Sequence, residues 1–92
     1  MADLAYYDRL QRAFNDLFQT LSATWPKPDL DYVREVVGQG EYGDALENLV
    51  ALGLRNGAGF NRDQTRQVEA LAATMSMEHG VLLARLREHS PP

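Results

Sequence analysis

The sequence predicts an all-α protein: four helices in one compact, bundle-like array. Three observations carry that expectation. Apolar residues recur at spacings of three and four along most of the 92 residues, the period of one face of a helix. No stretch alternates apolar and polar residues as a half-buried strand does. The periodic segments are separated by Pro- and Gly-rich breaks at Trp25-Pro26-Lys27-Pro28, Gly38-Gln39-Gly40 and Asn56-Gly57-Ala58-Gly59, which stop helices.

The first helix is expected over 3–23. Leu4, Tyr7, Leu10, Phe14, Leu17, Phe18 and Leu21 form its apolar stripe, with Asp8, Arg9, Arg12, Asn15, Asp16 and Gln19 opposite. The prolines at 26 and 28 end it, because a residue before proline is pushed out of the helical region. The second helix is expected over 28–39, with Pro28 at its first position and Asp29 and Asp31 near the positive end of its dipole. Leu30, Val33, Val36 and Val37 face the core, Asp31 and Glu35 lie opposite, and Tyr32 flanks them.

A third helix spans 41–56, with Tyr42, Ala45, Leu46, Leu49, Val50 and Gly53 inside. Glu41, Asp44 and Asn48 line one outer edge and Glu47 the other. The fourth opens at Asn61, with Gln64 three residues on as a capping-box partner. Val68, Leu71, Ala72, Met75, His79, Leu82 and Leu86 hold one stripe, which predicts a single helix over 61–88. Gly80 offers a break near 77–80, since glycine costs about 1 kcal/mol relative to alanine inside a helix. Ser90-Pro91-Pro92 is expected to fray.

A chain of this length makes one domain, 1–92. Hydrophobic residues are 45% and charged residues 24%, the composition of an ordinary globular protein. A net charge of -4 and a pI near 5.0 count against nucleic-acid binding, which needs a basic patch, and favour a basic protein partner. There are no cysteines, which rules out disulfides, thiolate metal sites and cysteine catalysis. The opening MADLAYYDRL lacks the basic and apolar runs of a signal peptide, and no apolar run approaches a membrane span. A cytoplasmic protein is expected.

Nothing in the chain points to chemistry. His79 and His89 are ten apart and show no HExxH spacing, so no metal is expected. Ser22, Ser76 and Ser90 have no nucleophile-elbow context. Gly38, Gly40 and Gly43 lack the Lys-Ser/Thr of a phosphate loop and join two helices. Neither enzyme activity nor a cofactor is expected.

The acidic stretch is the distinctive feature. Asp29, Asp31, Glu35, Glu41, Asp44 and Glu47 are six carboxylates in nineteen residues, offset by Arg34 alone. One reading is a solvated face with helix N-terminal acids. The other is a negative patch that steers a basic partner. Tyr32, set among the acids, is either an interface anchor or a cover for a neighbouring helix.

The words Leu30-Asp31-Tyr32-Val33, Gly38-Gln39-Gly40-Glu41-Tyr42-Gly43, Ala45-Leu46-Glu47 and Leu49 resemble those of the MafI-like immunity proteins, which neutralise polymorphic bacterial toxins. The helix opening at Asn61 and ending near Met75-Ser76-Met77 is also similar in length to the family's. The resemblance covers 29–77. It departs at Arg55-Asn56-Gly57-Ala58-Gly59, where the family carries more acids, and in the first helix and the tail past Gly80. It implies an antitoxin of contact-dependent growth inhibition: a protein that binds one cognate toxin domain, a nuclease in many cases, and blocks it. Asp31, Tyr32, Glu35, Glu41, Asp44 and Glu47 are then the candidate toxin contacts. The alternative function is a helical regulatory or scaffolding module that takes a partner helix in an apolar groove, with Leu82 and Leu86 among its lining.

Overall fold

A computed structural model describes residues 4–77. Within them the fold is all-α, with four helices: α1 (Leu4–Leu21), α2 (Lys27–Gly38), α3 (Tyr42–Arg55) and α4 (Arg62–Thr74). The helix α2 packs most extensively on α3, and α1 on α4. One core lies between these pairs. Phe14, Leu17 and Leu21 of α1, Val33 of α2, Ala45, Leu46, Leu49 and Val50 of α3, and Val68 and Ala72 of α4 are fully buried in it.

The connections follow from local chemistry. Pro26 occupies the N-cap of α2 and Pro28 lies in its first turn, so α2 starts one residue before the predicted position. At its other end Gly40 adopts φ +79°. The Gly40 amide donates to the Val37 carbonyl at 2.9 Å and the Glu41 amide to that of Val36 at 3.3 Å. This is a Schellman motif, which satisfies two carbonyls that the helix leaves open and needs a left-handed residue, usually glycine. The motif turns the chain directly into α3.

The capping box of α4 is complete. The Gln64 amide donates to Asn61 Oδ1 at 2.7 Å, and the Asn61 amide to Gln64 Oε1 at 2.9 Å. Such a cap contributes about 1 kcal/mol. Buried Gln64 also donates through Nε2 to Thr20 Oγ1 at 3.1 Å, tying α4 to the end of α1.

Two expectations need correction, and a third gains a role. First, the helix predicted over 61–88 stops at Thr74. Ser76 stands at φ +59°, its amide donates to the Ala73 carbonyl at 3.1 Å, and the Met77 amide donates to that of Ala72 at 2.7 Å. This is a second Schellman motif with serine in the left-handed position, and it breaks the helix that the periodicity carries on. His79, Gly80, Leu82, Leu86 and the Ser90-Pro91-Pro92 tail lie outside the described residues.

Second, Leu4 and Tyr7 belong to the predicted core stripe but are 78% and 43% exposed. Eighteen residues make α1 about 27 Å long, while the twelve of α2 and thirteen of α4 reach about 18–20 Å. Tyr6, in the same turn as Leu4 and Tyr7, still reaches α4, its hydroxyl donating to the Thr74 carbonyl at 3.4 Å, and Leu4 lies beyond that contact. The helix also ends at Leu21, two residues before the predicted Ala23.

Third, Trp25 does more than interrupt. It is buried, its Nε1 donates to the Gly59 carbonyl at 3.0 Å, and its ring meets Phe60 at 5.6 Å. Both rings press on Gly53: a Cβ there would stand 2.4 Å from Phe60 and 2.9 Å from Trp25. This clamp fixes the C-terminal end of α3 and so the face that α3 presents.

Candidate protein-binding surface

The sequence-predicted contacts all come from α2, α3 and the turn between them. Asp31, Tyr32, Glu35, Glu41, Asp44 and Glu47 are each exposed. At about 100° per residue, Asp31 and Glu35 lie opposite the buried stripe of α2. Tyr32, 50% exposed, sits on one flank, with half of its surface open to a partner. On α3, Asp44 points away from the core. Glu41 lies on one flank, at the turn from α2, and Glu47 on the other, toward Gly43, where a Cβ would stand 3.9 Å from Met77 Sδ. Glu35, Glu41 and Asp44 therefore gather around the α2–α3 turn, and Glu47 falls at the edge.

Pairing divides the acids further. Asp31 takes both cations of this face, Lys27 at 3.1 Å and Arg34 at 3.9 Å. Arg34 is engaged a second time, its guanidinium 5.6 Å from the Phe18 ring centroid. Asp29 is structural: its Oδ2 accepts from Asn56 Nδ2 at 3.3 Å, and Asn56 Oδ1 in turn accepts from the Ala58 amide at 2.9 Å. That chain of bonds links the start of α2 to the α3–α4 loop.

Glu35, Glu41, Asp44 and Glu47 have no ion-pair partner among the described residues. Glu41 is the N-cap residue of α3 and makes no side-chain capping bond. Its carboxylate and that of Asp44 stand at the positive end of the α3 dipole, which offsets part of their mutual repulsion.

Two further features were not signalled by the sequence. An open groove of about 270 Å³ runs between α1 and α4, with Leu10, Ala13, Ala70 and Leu71 as its apolar lining and Arg9 and Asp16 at its rim. At the N-terminal end of α1, Tyr7 stacks on Tyr42 with ring centroids 5.9 Å apart, and Tyr42 stacks on Phe14 at 6.1 Å. Spacing puts both on the core face, and Tyr42 does pack against the core; Tyr7 is the one left exposed. An aromatic in the first turn of the longest helix was the available hint of exposure.

Among the described residues, no three His, Cys, Asp or Glu side chains gather closely enough to hold a metal ion, and no helix is long and apolar enough to cross a membrane. The arrangement offers charge, aromatic surface and shape, the elements of protein recognition. Compared with family models, curated proteins and solved structures, the chain matches none.

Proposed function

We propose that this is an immunity protein, a non-enzymatic antitoxin that binds one cognate bacterial toxin domain in the cytoplasm and blocks it. The observation that carries this reading is the set of exposed carboxylates on Glu35, Glu41, Asp44 and Glu47, unpaired among the described residues while the cations beside them converge on Asp31. The resemblance of the Gly40–Leu49 words to MafI-like immunity proteins supports it independently.

The partner is then basic. A nuclease must hold phosphates with Lys and Arg, and an acidic face competes for those same cations. Glu35, Glu41 and Asp44 supply the field, Glu47 its edge, and Tyr32 beside Asp31 the aromatic contact typical of interface anchors. Affinity on the order of nanomolar or tighter is expected, because neutralisation must outlast the toxin's turnover.

Co-expression with a toxin domain encoded by a neighbouring gene tests the proposal, and a neighbourhood that encodes no toxin counts against it. The parent chain is expected to restore growth and to copurify with the toxin. A chain that neither protects nor copurifies contradicts it.

The alternative, a module that takes a partner helix, has one observation in its favour: the apolar α1–α4 groove. Ala70→Arg, at an exposed position in that groove, abolishes partner capture under the alternative and leaves toxin binding unchanged under the first reading.

A further inference from the structure

Asn15, Asn48 and Asn61 are followed by Asp16, Leu49 and Arg62, whose side chains crowd the next backbone amide; Asn56 is the asparagine that precedes glycine. Gly57 stands exposed at φ +81°, with open space where a Cβ would be. Without that Cβ its amide can approach a neighbouring group closely. An attack within one chain also starts from a high effective concentration. Asn56-Gly57 is therefore the place in this chain where a side-chain amide is most open to loss by ring closure.

The same side chain holds a joint together. Asn56 Nδ2 donates to Asp29 Oδ2 at 3.3 Å, and Asn56 Oδ1 accepts from the Ala58 amide at 2.9 Å. The loop held in this way presents the Gly59 carbonyl to Trp25 Nε1 at 3.0 Å. Asp29 has no ion-pair partner among the described residues, so it has no cation to share with a second carboxylate. Asn56 is also the C-cap residue of α3, where the helix dipole disfavours negative charge.

We infer that Asn56-Gly57 is a self-modification site, whose conversion to aspartate unties the start of α2 from the α3–α4 loop. The Gly57 amide nitrogen loses its proton to hydroxide and attacks Asn56 Cγ. The Cγ–Nδ2 bond breaks, and ammonia leaves with a proton taken from water. Water then opens the five-membered imide at either carbonyl, giving aspartate or isoaspartate. One water is consumed and one ammonia released. Ring closure needs the Asn56 ψ to leave its near-helical value of -7°, so the two side-chain bonds open first and set the rate. The product lacks the Nδ2 donor and places two carboxylates where one bond stood, which disfavours the closed joint.

The test incubates folded protein in mildly alkaline buffer beside urea-unfolded protein. The amide-to-acid mass gain is followed on the peptide that carries Asn56. An exposed loop opens without global unfolding, so the folded chain is expected to convert no more than about 100-fold slower than the unfolded one. Asp29→Ala is expected to speed conversion about five-fold, the factor of one net hydrogen bond. Asn56→Asp makes the product directly. It is expected to lower the melting temperature by about 4–8 °C and to move the emission of Trp25, the chain's one tryptophan, to longer wavelength. In an Asp29→Asn background the same substitution is expected to cost less than about half as much, since the introduced amide can donate to the new carboxylate.

Slower conversion of the folded chain than this, or an Asp29→Ala rate no faster than the parent's, overturns the site. An equal cost of Asn56→Asp in both backgrounds, or unmoved Trp25 emission, overturns the untying of the joint. None of these readouts involves a partner, so they stand apart from the immunity reading.

Discussion

The two helix pairs use similar charged residues in opposite ways. On α1 and α4, four acids and four bases balance in number, and two pairs close within about one turn: Asp8 with Arg12 at 3.2 Å, and Asp63 with Arg66 at 3.9 Å. On α2 and α3, Lys27 and Arg34 both go to Asp31, and Glu35, Glu41, Asp44 and Glu47 are left over. Exposed pairs of this kind contribute about 0.2–1 kcal/mol, so stability does not explain the asymmetry. Its consequence lies in the field. Paired charges cancel a few ångströms away, whereas unpaired like charges add out to the Debye length of about 8 Å at physiological salt. One side of the molecule is electrostatically quiet and the other is negative.

Reversing Glu35, Glu41 and Asp44 together to lysine breaks the contrast most severely. Toxin affinity is expected to fall about 100-fold or more, through association rates that steering changes by about 10–10³-fold. The matching reversal of Asp8 and Asp63 is expected to change affinity less than two-fold, which calorimetry of both variants checks. Tyr32→Ala is next, with an expected loss of about 2 kcal/mol in binding, or roughly 30-fold, and an unchanged melting point.

Gly53→Ala asks whether the negative face needs its clamped helix. The added methyl collides with Phe60 and Trp25, and overpacking of this kind costs about 1–3 kcal/mol in denaturant unfolding. Ser76→Gly acts in the opposite direction. Relieving a left-handed serine is expected to stabilise the fold by about 0.5–1 kcal/mol in the same assay. Asp31→Asn is the mildest change. It removes a carboxylate already neutralised by two cations, so it is expected to cost about 0.3–0.5 kcal/mol of stability and to slow association less than Glu35→Gln does.

The two Schellman motifs show what the sequence reveals and what it hides. At the end of α2 the left-handed residue is Gly40, and the stop was readable because glycine advertises it. At the end of α4 the same hydrogen bonds form around Ser76. Serine carries no such signal, and the apolar stripe continues past it, so periodicity alone extended the helix to 88. Trp25 was hidden in a similar way. Its proline neighbours mark a chain break, and the partner that buries it, Phe60, is 35 residues away in a loop. Helical spacing puts Leu4 and Tyr7 on the core face of α1 but says nothing about how far the neighbouring helices reach.

The candidate surface was legible as composition and less so as electrostatics. Six acids in nineteen residues are plain from the sequence, and the Lys27–Asp31 spacing already permits an i,i+4 pair. That Arg34 also turns to Asp31, with its guanidinium over Phe18, depends on where α1 passes. That tertiary fact moves the centre of negative charge from Asp31 to the α2–α3 turn.

The salt dependence of the association rate tests this account most directly. Stopped-flow mixing with the cognate toxin domain is run across a range of ionic strength, for the parent and for the variant with lysine at 35, 41 and 44. The account predicts a fast parental rate that falls steeply with salt, and a variant rate that is slow and nearly flat or rises with salt. Equal rates with equal salt slopes in the two proteins would contradict it.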